Sequence, residues 1–180
     1  MKPEARHLFL TGARQVGKST LLRRLIEEKR LACAGFETQA FFLGGERRGF
    51  ALHGRVDLPP YENDCICCVR VGERRSVPVL PVFEENGVTI LRRSLDSAES
   101  FLLMDELGRL ECQADGFIRQ VFACLDGPKR VLGVLQQCDA PHIQAIAARE
   151  DVRVVTVTPE NRDALFPALC AWLKNEPLYE

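Results

Sequence analysis

Gly12-Ala13-Arg14-Gln15-Val16-Gly17-Lys18-Ser19 satisfies the pattern G-x-x-x-x-G-K-[ST] in full, and no other stretch of the chain restricts its fold so sharply. A loop with this spacing turns its backbone N–H groups inward around an anion, so glycines stand where unusual dihedrals are needed. At average residue frequencies, 180 residues would carry such a match by chance about once in 150 sequences. The flanks strengthen the reading. His7-Leu8-Phe9-Leu10-Thr11 before the loop has the character of a buried strand. From Thr20 to Leu31, Leu21, Leu22, Leu25 and Ile26 make one apolar face, opposite Arg23, Arg24, Glu27 and Glu28, as in an amphipathic helix. That helix would point its N-terminal dipole and free N–H groups at the same anion. The loop Gly12, Ala13, Arg14, Gln15, Val16, Gly17, Lys18, Ser19 and the adjoining Thr20 are therefore the expected phosphate-binding residues. Lys18 would reach the β- and γ-phosphates, and the Ser19 hydroxyl would ligate Mg²⁺.

The remainder of the chain alternates strands and helices. Strands are expected at Phe36–Leu43, Val77–Val82, Val88–Leu91, Ser100–Asp105, Arg130–Leu135 and Val152–Val157. Helices are expected at Phe117–Leu125, Pro141–Arg149 and Pro159–Lys174. Gly44-Gly45, between Phe36–Leu43 and Arg48-Gly49-Phe50-Ala51-Leu52, marks a β-hairpin. Residues 53–75, with Pro59-Pro60 and three cysteines, read as an irregular segment. The expected fold is α/β: a P-loop NTPase architecture, a mostly parallel sheet with helices on both faces and an added antiparallel hairpin. Residues 1–180 read as one domain.

Composition removes several classes. Hydrophobic residues make up 46% and charged residues 27%, ordinary for a globular domain and wrong for disorder or collagen. No apolar run nears the ~18 residues of a membrane span, and Leu8-Phe9-Leu10 is too short for a secretory core, so a cytoplasmic protein is expected. The net charge of −1 exerts no general pull on nucleic acid or anionic lipid. Of the 24 basic residues 19 are Arg. Eight cysteines in a chain without a signal peptide read as reduced thiols.

Phe101-Leu102-Leu103-Met104-Asp105-Glu106 supplies the second half of a nucleotide site. An aliphatic strand in a parallel sheet delivers its last residues to the C-terminal edge, where ligands bind. Asp105 there would hold Mg²⁺ directly or through water, and Glu106 would orient or deprotonate a water attacking the γ-phosphate. A glutamate in that place favours hydrolysis over transfer to another acceptor.

Asp105-Glu106-Leu107-Gly108-Arg109-Leu110-Glu111 resembles the D-E-I-G-[KR]-M-E signature of the thermophile-type nucleoside-triphosphatases, whose vertebrate members are called cancer-related nucleoside-triphosphatases. Phe36-Glu37-Thr38, with Gly45 and Arg48-Gly49-Phe50, resembles the same family's G-F-x-T…G-x-R-x-G-F segment. Thr156-Val157-Thr158-Pro159-Glu160-Asn161-Arg162-Asp163 resembles its T-x-E-N-R-D stretch. Leu107 and Leu110 replace Ile and Met at little change of volume. The resemblance spans nearly the whole chain. It implies an α/β P-loop enzyme that hydrolyses ATP, GTP and other nucleoside triphosphates with Mg²⁺. Asp105, Glu106, Leu107, Gly108 and Arg109 would form the second nucleotide-contacting segment, with Arg109 placed to act as an arginine finger in cis. A nucleotide or small-molecule kinase, and a nucleotide-gated regulatory protein, are the alternatives.

Other residues carry weaker signals. Cys65, Cys67 and Cys68 are spaced poorly for tetrahedral zinc and read as plain thiols rather than a metal or redox cluster. Gln136 or Gln137, after the strand following the acidic pair, could reach the γ-phosphate or its water. Asn161 and Arg162 stand where a base contact or a helix cap would serve equally. His142, one residue behind Pro141, reads as a surface side chain. Arg47, Arg48, Arg55, Arg70, Arg74 and Arg75 make the middle segment basic, which without interleaved aromatics reads as a solvated face.

Overall fold

Leu8 and Leu10 turn to one side of their strand and Phe9 to the other, and this alternation organises the whole molecule. The computed structural model describes residues 5–72 and 75–174. In chain order the elements are β1 (His7–Thr11), α1 (Lys18–Glu28), β2 (Cys33–Leu43), β3 (Glu46–Gly54), β4 (Cys65–Val71), β5 (Arg75–Pro78), α2 (Val88–Asp96), β6 (Phe101–Leu107), α3 (Asp115–Asp126), β7 (Arg130–Leu135), α4 (Pro141–Ala148), β8 (Val152–Thr156) and α5 (Arg162–Lys174). A π-helical turn, Val82–Gly87, runs directly into α2.

The strands form one sheet in the order β5-β4-β3-β2-β6-β7-β1-β8. β2, β6, β7, β1 and β8 are parallel, while β2 to β5 make an antiparallel meander. The expected hairpin is present and forms the first turn of a larger wing. Leu8, Leu10, Leu103, Leu132 and Val134 pack against Leu21, Leu22 and Leu25 of α1 and Leu169 of α5. On the other face Phe9, Leu102, Met104 and Val131 meet Ile90 and Leu91 of α2, Phe117 and Val121 of α3, and Ile146 of α4. Strands buried on both faces need continuous aliphatic runs, which is what β1, β6 and β7 carry. Among the described residues no helix is long and apolar enough to cross a membrane.

Three expectations are corrected. Val88–Leu91 is the first turn of α2, because Ile90, Leu91 and Ser94 are buried together at helical spacing and the β-branched residues are overridden by that packing. The segment 53–75 is not irregular throughout: Cys65–Val71 pairs antiparallel with β3 in the register Ala51↔Ile66 and Gly49↔Val69. A bulge at Phe50/Ala51 lets both Cys67 and Cys68 turn inward, which hides the alternation that would mark a strand. The strand expected at Val77–Val82 is Arg75–Pro78, after which the chain turns helical. Residues 73 and 74, including Arg74, lie outside the described residues.

At the end of the parallel strands away from the loop 12–17, His7 is fully buried. Its Nδ1 accepts from the Val131 N–H at 2.9 Å, so Nε2 carries the hydrogen and donates to the Leu125 carbonyl at 3.1 Å. That arrangement needs a neutral ring. Burial, outweighing the nearby Asp151, lowers the pKa from 6.5 to about 4. The unfolded chain therefore takes up a proton below pH 6.5 that the folded chain refuses until about pH 4. Going from pH 7 to pH 5 should cost about 2 kcal/mol of stability through this residue alone. Urea unfolding at both pH values, for wild type and His7→Gln, checks this: the variant should show a smaller loss by that amount.

Candidate active site

β1 ends at Thr11, and the chain then follows the loop 12–17 into α1. Gly12 has φ +139°, and a Cβ placed on it would lie 2.3 Å from the Val157 carbonyl oxygen. Gly17 has φ +94° and lies under the Arg162 side chain, which comes within 3.1 Å of where its Cβ would be. Only glycine meets both demands at Gly12, a left-handed backbone and contact with the backbone that follows β8. Gln15 is also left-handed, at φ 62°. Ala13, Arg14, Gln15 and Thr20 are exposed, while Lys18 is buried. The Lys18 ammonium donates to the Gly12 and Ala13 carbonyls at 2.9 and 2.8 Å, which holds it against the loop.

β7 separates β1 from β6, yet the loop and the acidic pair meet. The Ser19 hydroxyl donates to Asp105 Oδ1 at 2.8 Å. Asp105 pairs with Glu37 across β2/β6, and its carbonyl accepts from the Thr38 hydroxyl at 3.3 Å. Met104 stands opposite Gly133 but Leu107 stands opposite Leu135, so β6 bulges at Asp105-Glu106. The bulge gives the two carboxylates different surroundings. Asp105 lines a cavity of about 130 Å³ with Ser19, Arg23, Glu37 and Arg55. Glu106 lines another of about 50 Å³ with Thr38, Phe50, Phe83, Arg109 and Gln136.

Burial pushes the Asp105 carboxyl above the usual carboxylate range, against the pull of the Ser19 hydroxyl. Glu106 is pushed up by the same cause, against the pull of Lys18. One carboxylate and one hydroxyl this close offer two hard oxygen donors of the kind a divalent cation takes.

The structure brings together residues that the sequence left apart. Gln136 accepts from the Arg109 N–H at 3.2 Å, whereas Gln137 is exposed. Leu107 is wholly buried in the core, while Gly108 is buried and Arg109 exposed at the turn. His142 is a correction: it is buried on α4, with Nε2 3.3 Å from Glu111 Oε1, because α4 packs its first turn onto the acidic segment. Glu37 is another unforeseen participant, flanked by Arg23 at 3.6 Å and Arg55 at 3.5 Å. Nothing in the sequence pairs residues so far apart. Asn161 accepts from the Thr158 N–H at 2.8 Å and donates to the Thr156 carbonyl, a capping role. Cys67 and Cys68 are buried under the wing, the Cys67 thiol pushed up to about 12, and Cys65 is half-buried. Aromatic rings do stand among the wing arginines, Arg47 lying over the Phe50 ring at 5.3 Å, while Arg48 pairs with Glu46 at 3.0 Å.

A family model described as NTPase matches residues 7–170. The cancer-related nucleoside-triphosphatase of Homo sapiens is 33% identical over 186 residues, covering 91% of this chain and 94% of that protein. Nucleoside-triphosphatase THEP1 of Thermotoga maritima is 29% identical over 177 residues, covering 93% and 95%. The solution structure of a human cancer-related nucleoside triphosphatase superposes with a TM-score of 0.71 at 30% identity, over 96% of this chain and all of the other. The crystal structure of THEP1 from Aquifex aeolicus shares the fold, with a TM-score of 0.73 at 22% identity over 94% of this chain and 99% of the other.

Gly12→Ala tests the loop. Its Cβ has no room before Val157, and the left-handed backbone adds strain of about 1–3 kcal/mol. Thermal unfolding should show that loss, and titration with a fluorescent triphosphate should show affinity reduced by about tenfold or more.

Proposed function

We propose that this chain, which belongs to the NTPase family, hydrolyses nucleoside 5′-triphosphates to diphosphate and phosphate with Mg²⁺. The observation that carries the reading is the 2.8 Å contact between Ser19 and Asp105, which joins a phosphate-binding loop to a buried acid at the C-terminal edge of the parallel strands. The loop amides and Lys18 bind the β- and γ-phosphates. Ser19 and Asp105 would hold Mg²⁺, which when bound would supply positive charge against the triphosphate.

Glu106 is the general base. Its raised pKa makes it a stronger acceptor for a proton from water than an exposed glutamate, and Lys18 favours its ionised form. Arg109, across the same cavity, would meet negative charge developing on the γ-phosphate oxygens. Gln136 accepts from the Arg109 backbone through Oε1, which leaves its amide N–H groups to orient the attacking water. Phosphoryl transfer asks mainly for positioning and charge, and this set supplies both.

Phosphate release from ATP, GTP, CTP and UTP is the test. Release should require Mg²⁺ and stop on chelation. Lys18→Ala should lose both binding and turnover. Glu106→Gln should retain triphosphate binding while turnover falls by about 10²–10⁴-fold. Wild-type turnover in Glu106→Gln would remove Glu106 from the mechanism, and phosphate transferred to an added acceptor in place of release would make the enzyme a kinase.

A further inference from the structure

Arg109 is an exposed side chain on an unusually well-held backbone. Its N–H donates to Gln136 Oε1 at 3.2 Å, and its carbonyl accepts from the Cys112 N–H at 3.3 Å. The preceding residue, Gly108, donates its N–H to Glu111 Oε1. The same oxygen lies 3.3 Å from His142 Nε2, and the Glu111 carbonyl accepts from the Ala114 N–H at 2.8 Å. Glu111 is 3% exposed and His142 6%. A carboxylate taken that far out of water costs several kcal/mol unless hydrogen bonds and a polar partner offset it. A turn that only reversed the chain would need no such group, since glycine or asparagine suffices.

The two side chains that grip this turn come from one place. Gln136 and His142 stand at the two ends of the segment 136–142, which carries the chain from β7 into α4. Gly108 packs so closely on Gln136 that a Cβ there would fall 2.7 Å from Oε1. Glu106, Arg109, Glu111 and Gln136 line a single cavity. A buried polar cluster of this kind specifies geometry more than it adds stability.

We propose that Glu111 and His142 form a positioning pair which, through the Gly108 amide, sets Arg109 against the γ-phosphate. Neither side chain touches the reacting atoms. The inference rests on the hydrolytic reading above, and the two fail separately. The experiment is a double-mutant cycle between His142→Ala and Arg109→Ala, with kcat, KM for the Mg²⁺–triphosphate and thermal unfolding measured for each protein. His142→Ala should lower kcat about tenfold, with KM changed no more than about twofold. In the Arg109→Ala background the same change should leave kcat unaltered, since the pair then has nothing left to position. His142→Gln, whose amide N–H can replace the Nε2 donor, should restore most of the rate, and Glu111→Met, which removes the acceptor at similar volume, should behave like His142→Ala.

Unchanged kcat in a folded His142→Ala protein overturns the proposal. So does an equal fall in both backgrounds, which would make the pair a general support of the fold. Should His142→Ala fail to fold, the cycle is run with Glu111→Met, and additivity with Arg109→Ala overturns the proposal in the same way. Loss of turnover in Glu106→Gln together with normal turnover in His142→Ala removes the positioning pair and leaves the hydrolase intact. Retained turnover in Glu106→Gln removes the hydrolytic role of that residue whatever the cycle gives.

Discussion

A carboxyl group that is 8% exposed at the end of a strand must find a partner, and Asp105 finds the Ser19 hydroxyl at 2.8 Å. Hydrogen bonds to charged groups contribute about 1.5–3 kcal/mol, so this one contact holds the first turn of α1 against β6 across the intervening β7. Its consequences run outward. The loop between β1 and α1 must be short, and Gly12 must pass against Val157 with a backbone that no other residue adopts readily. Burial raises the Asp105 pKa while the hydroxyl lowers it, so the contact and the burial act on the same carboxyl in opposite directions.

The parallel half of the sheet makes this contact possible. β1, β6 and β7 send alternate aliphatic side chains to two cores, one under α1 and α5 and one under α2, α3 and α4. A sheet clamped on both faces leaves the strand ends as the place where polar groups can gather. At that edge the bulge at Asp105-Glu106 breaks the alternation. Asp105 then faces the α1 side and Glu106 the opposite cavity, so two adjacent residues meet different surroundings.

Much of this was legible in the chain. The glycine-bearing loop 12–17 is local, its glycines answer a local backbone demand, and the runs Leu8-Phe9-Leu10, Phe101–Met104 and Val131–Leu135 announce strands buried on both faces. What escaped is long-range or unpatterned. β4 shows Ile66, Val69 and Val71 to solvent and turns two successive cysteines inward, so no period of two survives. Val88–Leu91 carries strand-prone residues that tertiary packing draws into a helix. His142 follows a proline at the start of a helix, a position that commonly faces water, and only the packing of α4 on the acidic segment buries it. The Arg23–Glu37–Arg55 group joins α1, β2 and the residue that follows β3, with no spacing to betray it.

β2 belongs to both halves of the sheet, and this explains why the wing bears on the site. Its first residues pair in parallel with β6, bringing Glu37 abreast of Asp105, and from Phe36 onward it also pairs antiparallel with β3. Phe50, returned by that pairing, lines the Glu106 cavity together with Phe83. The cavity wall beside Glu106 is therefore apolar on the wing side and polar on the side of Arg109 and Gln136. An apolar wall keeps competing water away and strengthens the field of the few charges present. The wing itself is stabilised differently from the parallel half. One of its faces carries Val69, Val71 and Val77 in the open, and its edge strand β5 is four residues long with Arg75 and Pro78 at its ends. A short edge bearing a charge and a proline resists pairing with another chain. The antiparallel half can thus reach past the parallel strands to wall the site without covering both of its own faces, because β2 anchors it to a half that does.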